Sequence, residues 1–147
     1  MKLNVMLTIS SLLAILFMTL HFTDDILRNQ NAAGQGGFMN LVVVLILIVW
    51  LYGTLALAER RSGYIIILVG SLLSSYVGIG HVTGMGDIVV GEIAKSSGAF
   101  FVWAVIALAV TALFSVVLSA RALFSMQTGQ SGQSNNPNTE KPVARRR

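Results

Sequence analysis

No cysteine occurs in this chain. Its absence excludes disulfides, thiolate metal sites, thioether-linked haem and cysteine nucleophiles, and it leaves the redox compartment undetermined. Charge is scarce as well. Only 11% of the 147 residues are charged, against about 25% in an ordinary soluble domain. The strict apolar–polar alternation of an outer-membrane barrel is missing too, so spanning strands are a poor reading. Several catalytic signatures are also absent. There is no HExxH, no paired ExxH set and no serine with a convincing base beside it. GIGHVTGMG matches a nucleotide loop only in its glycines, because no strand–loop–helix context surrounds it.

What remains is hydrocarbon. The chain is 54% hydrophobic with a mean hydropathy of +0.75. A bilayer core about 30 Å thick needs roughly 20 mostly apolar residues per helix. Four windows qualify: residues 3–22, 38–58, 63–82 and 98–120. None contains Lys, Arg, Asp or Glu. The expected fold is an all-α membrane bundle of four transmembrane helices within residues 1–124. Residues 125–147 are polar, rich in Gly, Ser, Asn and Gln, and end in Arg145, Arg146 and Arg147. Such a segment buries too little apolar surface to fold and reads as a disordered tail. Lys2 before an apolar run resembles a signal peptide, but the run is long and no small-x-small site follows it directly, so a retained helix is expected.

The net charge is +4, and its placement sets an orientation. With four spans, Lys2, Arg60, Arg61, Arg121, Lys141 and the terminal arginines share one side, while Arg28 and Lys95 lie opposite. Lys and Arg concentrate in short cytoplasmic segments. Both termini are therefore expected in the cytoplasm, with residues 58–63 as a tight cytoplasmic turn. Residues 23–37 and 83–97 would face outward. Residues 88–95 form a weakly amphipathic stretch that Asp87 could cap. A plasma or bacterial inner membrane is the default location. One terminal arginine triplet is too little for nucleic-acid binding.

Two helix faces carry the polar residues. On the first, Ser10, Ala14, Phe17 or Met18, and His21 fall at helical spacing, and Asp24 and Asp25 follow if the helix continues. On the third, Gly70, Ser74 and Gly78 are small residues four apart, a pattern that admits a close helix neighbour and leads toward His81. Trp50 lies deep in its window, so its indole N–H needs a partner inside the bundle. The topology puts both histidines at one membrane surface with Asp24, Asp25, Asp87 and Glu92, four of the six acidic residues.

That gathering has several uses. His21, Asp25, His81, Asp87 and Glu92 are weak candidates for a nitrogen–oxygen metal site. Asp24 or Asp25 could orient His21 for proton transfer, which makes these three and His81 the catalytic candidates. Two histidines could also ligate a haem axially. Against these stands plain polarity at a helix end. Asp24 and Asp25 could cap or terminate the helix and pair with Arg28. The structural reading comes first: a small membrane protein with an accessory or partner-binding role, meeting lipid and a second copy or another membrane protein. A membrane enzyme or metal- or haem-binding protein is the alternative, followed by a small oligomeric transporter or channel. The lack of charge in the spans counts against ion translocation.

Overall fold

The computed structural model describes residues 3–29, 37–83 and 99–133. They form four helices and, among the described residues, no strand: α1 (Leu3–Asn29), α2 (Gly37–Leu55), α3 (Arg61–Thr83) and α4 (Ala99–Gln133). Around the bundle the order is cyclic. α4 packs extensively on α3 and α1, α2 lies against α3 and α1, and α1 meets α3 across the diagonal. The polar links fix the directions. Asn4 on α1 reaches Glu59 beyond the end of α2, and Ser10 on α1 meets Ser115 on α4. Sequential neighbours are thus antiparallel, while α1 and α3 run parallel.

Small residues line much of the interior, beside a few large ones such as Leu7, Trp50 and Leu108, and large apolar side chains cover the outside. Inside are Ala14, Ser10 and Ser11 of α1, Gly70, Ser71 and Ser74 of α3, and Ala112, Ser115 and Ser119 of α4. Outside are large apolar side chains. On α1 they form a stripe, Val5, Ile9, Leu13, Leu16 and Leu20, at spacings of three and four. α2 exposes Leu41, Leu45, Ile48, Val49 and Leu55, and α4 exposes Ile106, Val110, Phe114 and Val117. Water would drive such a surface to aggregate. Hydrocarbon does not, and small interior residues then let the backbones approach. Three helices are long and apolar enough to cross a membrane: Leu3–Asp24, Arg61–Gly80 and Val102–Gln127. The apolar part of α2, Asn40–Leu55, is shorter.

The helix ends differ from the windows in an instructive way. α1 continues through Asp24 and Asp25 to Asn29, so the aspartates do not terminate it. α4 runs to Gln133, well into the segment expected to be a disordered tail. Hydropathy marks where side chains turn polar. The backbone hydrogen-bond ladder has no reason to stop there, and residues such as Met126 and Gln127 favour helix. In α2 the deviation is the reverse. The window reaches Ala58, yet the helix stops at Leu55 and the reversal occupies residues 56–60. Arg61 to Gly63, expected in the turn, already belong to α3. The amides of Ala56 and Leu57 both donate to the Tyr52 carbonyl, and Arg60 N donates to Leu57 O. Glu59 adopts a left-handed conformation, with φ at 67°, uncommon for a residue with a Cβ. The outer stretch 88–95, Asp87, Glu92, Lys95 and residues 134–147 lie outside the described residues.

Candidate functional site

Polar chemistry gathers at three levels. At the end beside the α2–α3 turn, Asn4 is the connector. Its amide Nδ2 donates to Glu59 Oε1 at 2.8 Å, and Tyr64 OH donates to its Oδ1 at 2.9 Å. One asparagine thereby ties α1 to the turn and to the first turns of α3. The connection restrains Glu59 near its left-handed backbone.

In the middle, hydroxyls join α1 to two neighbours. Trp50 is only 2% exposed. Its Nε1–H donates to Ser11 Oγ at 3.0 Å, which meets the requirement for a partner within the bundle. Ser11 Oγ lies 2.8 Å from Thr54 Oγ1, and Thr54 Oγ1 donates to the Trp50 carbonyl at 2.9 Å. Assigning each proton once gives a closed circuit. The indole donates to Ser11, Ser11 to Thr54, and Thr54 to the backbone of Trp50. On the adjacent face, Ser115 Oγ sits 3.0 Å from both Ser10 Oγ and the Thr111 carbonyl. Its single proton is shared between those acceptors, while Ser10 donates to Leu7 O. Ser75 and Ser119 return their hydroxyls to carbonyls four residues back. These groups stabilise packing. Apart from the indole, the donors in these circuits are alcohols that bond one another or helix carbonyls.

Ser11→Ala should be the informative substitution here. It strands the indole N–H in an apolar interior, and we expect a loss of about 1.5 kcal/mol, near the upper end of interhelical hydrogen bonds in membranes. Ser10→Ala should cost less than about 0.5 kcal/mol, since Ser115 keeps Thr111 O as its acceptor. Reversible unfolding in mixed micelles measures both.

At the third level, His21 is 3% exposed and sits on the face of α1 that also buries Leu7 and Ala14. One turn below it, Phe17 and Trp103 of α4 meet edge to face, with centroids 5.8 Å apart at 77°. Asp24, three residues on, is half-buried. Asp25 lies on the same continuous helix. His81 lies near the end of α3. α1 and α3 run parallel, and the Asn4–Tyr64 bond sets their register. His21 and His81 are equally far along their helices from that bond, so they occupy the same end of the bundle. Among the residues whose side chains are described, which leaves out Asp25 and His81, no three His, Asp or Glu gather closely enough to hold a metal ion. Asp87 and Glu92, needed to complete the larger cluster, lie outside them.

The small-residue stripe on α3 is spent within the chain. A Cβ on Gly70 would stand 2.5 Å from Trp50 Cδ2, and one on Gly78 would stand 3.0 Å from Ala109 Cβ. Ser74 is buried between these positions. A partner meeting this protein through that face would have to displace α2 and α4. The outward surface is instead the branched and aromatic one. Sequence reasoning missed Ser11, Asn4 and Glu59 as linkers. The signal for Asn4 and Glu59 was polarity at the ends of apolar runs, and for Ser11 a hydroxyl within one; neither specifies a partner.

Comparison with known proteins finds no matching family model, no matching curated protein and no matching solved structure.

Proposed function

We propose that this chain is a small integral membrane protein with a structural, accessory or partner-binding role and no demonstrable catalytic motif. One observation carries the reading: large apolar side chains cover the outside, while interior alcohols of α1, α2 and α4 bond one another and the helix carbonyls, although Ser71 Oγ, fully buried on α3, has no hydrogen-bond partner among the described residues. In this reading all four helices cross. α2 has 19 residues, roughly 28 Å at 1.5 Å per residue, close to the bilayer core. Both termini lie in the cytoplasm, as the Arg60–Arg61 pair at the α2–α3 turn favours. A bacterial inner membrane suits this arrangement.

The burial of His21 favours a second reading, in which the histidine end holds a metal or haem or moves a proton. Elemental analysis and visible absorption of detergent-purified protein separate the two, with His21→Ala and His81→Ala alongside wild type. We expect no stoichiometric metal and no Soret band. A cofactor present in wild type and lost from both variants would replace the first reading by the second. Reporter fusions at each terminus check the orientation, and a C-terminus outside the cytoplasm would overturn it.

A further inference from the structure

Between α2 and α3, on the side away from α1, lies an open groove of about 410 Å³. That volume is in the range of small-molecule sites. Its walls are almost entirely hydrocarbon, from Val42, Leu45, Ile46 and Val49 on α2 and Ile65, Val69 and Leu73 on α3, with the Trp50 ring and Gly70 at the floor. The α3 wall is a single ridge of residues four apart. Continued toward the turn, the same ridge reaches Arg61, which is exposed, beside exposed Arg60. The α2 wall continues from Val49 to Tyr52, 58% exposed. The apolar trough therefore ends, within about 6 Å of axial rise from Ile65 to Arg61, at the level of two exposed arginines and an exposed tyrosine. Glu59, the acidic residue of this turn, accepts its hydrogen bond from Asn4 on the α1 side.

We infer that this groove binds an anionic glycerophospholipid, one acyl chain lying along the α2–α3 trough and the phosphate held by Arg60 and Arg61. Guanidinium groups pair with phosphate through paired N–H donors, which a zwitterionic headgroup satisfies less well because its own ammonium competes. Tyr52, exposed one helical turn beyond Val49, is at the level the glycerol esters would occupy. The other candidate occupant, a second copy of this chain, would bring its own Arg60–Arg61 pair against the same mouth if it docked by twofold symmetry. Like charges there disfavour it.

The inference rests on the membrane reading, and its test keeps the two apart. Full-length protein carrying Trp103→Phe, which leaves Trp50 as the sole indole, is reconstituted in phosphatidylcholine vesicles. Brominated-tail phosphatidylglycerol or brominated-tail phosphatidylcholine is then titrated in, and Trp50 fluorescence is followed. Half-maximal quenching is expected at about fivefold lower mole fraction of the anionic lipid. Arg60→Gln with Arg61→Gln should erase that difference, and Arg60→Lys with Arg61→Lys should retain most of it. Val69→Phe, which fills the trough, should weaken quenching by both lipids. Circular dichroism confirms that each variant keeps its helices. Equal quenching by the two lipids, or a preference that survives the double glutamine variant, overturns the inference. So does efficient disulfide dimerisation of Val69→Cys in the otherwise cysteine-free chain, which would place a second copy in the groove. Protein extracted from its membranes by alkaline carbonate would instead fail the membrane reading itself.

Discussion

Replacing Gly70 by valine should leave the protein unable to reach its native packing. The reason is the neighbour. A Cβ at this position would stand 2.5 Å from Trp50 Cδ2, 2.8 Å from Cγ and 2.9 Å from Cε2. The indole cannot swing aside cheaply, because its N–H is fixed to Ser11 and Ser11 to Thr54. Overpacking typically costs about 1–3 kcal/mol. Opening the hydrogen-bonded circuit adds about 1 kcal/mol more. Gly70→Ala should show the smaller part of this loss and Gly70→Val the larger, in equilibrium unfolding from mixed micelles. Combining Gly70→Ala with Trp50→Leu should be strongly non-additive, since the two residues share one contact. Gly80→Ala is the matched control. Nothing lies within 4 Å of its Cβ position, so alanine there should be neutral or stabilising by up to about 1 kcal/mol through helix propensity. Equal losses at positions 70 and 80 would refute the account.

Gly63→Ala should be nearly as damaging, by a different route. The Cβ would collide with the carbonyl oxygen of Leu57, and would stand 2.8 Å from its carbon and 3.0 Å from Gly53 O. These are backbone atoms of the α2–α3 turn and of the last helical turn of α2. No rotamer change relieves them, so the turn must open and the helices must shift. The turn already holds Glu59 at a positive φ, a conformation that costs about 1–3 kcal/mol and persists only where its surroundings enforce it. We expect a loss of about 2–4 kcal/mol for Gly63→Ala, and Gly63→Ser should match it. A cost that is already full at the first side-chain carbon marks a backbone obstacle. A cost that climbs with side-chain size, as expected at Gly70, marks a side-chain one. Unfolding free energies for the two series distinguish these patterns directly.

The helices were legible because a long run without charge has few other fates. Their ends were less so, and for a physical reason. Leu55 ends α2 although Ala56, Leu57 and Ala58 are as apolar as what precedes them, because the chain must reverse there to bring Gly63 against Leu57. At Asp24 and Asp25 the opposite holds: polarity appears, and the helix continues. The need of the Trp50 indole for a buried partner could be read from its depth. That Ser11 supplies it could not, since Ser10 and Ser11 are equally polar and only the relative rotation of α1 and α2 selects between them. The glycines of α3 announced close approach but not to whom. Their partners, Trp50 and Ala109, come from helices on either side. For the histidine end, spacing put His21 on one face of α1 with Ser10 and Ala14, and that face is the buried one, although plain polarity at a helix end was the preferred reading.

Adjacent serines on α1 also imply an order of events during synthesis. Residues 10 and 11 are about 100° apart around a helix, and they serve different neighbours: Ser11 meets the Trp50–Thr54 pair of α2, while Ser10 meets Ser115 of α4. The first neighbour emerges from the ribosome soon after α1. The last is made only after most of the chain. A nascent α1–α2 hairpin can therefore close its own polar circuit at once, whereas Ser10 must bridge the interval by bonding back to Leu7 O, as it does in the finished bundle. Ser10, Ser11, Thr54 and the Trp50 indole can thus be satisfied before α4 arrives, which completes assembly instead of rescuing it.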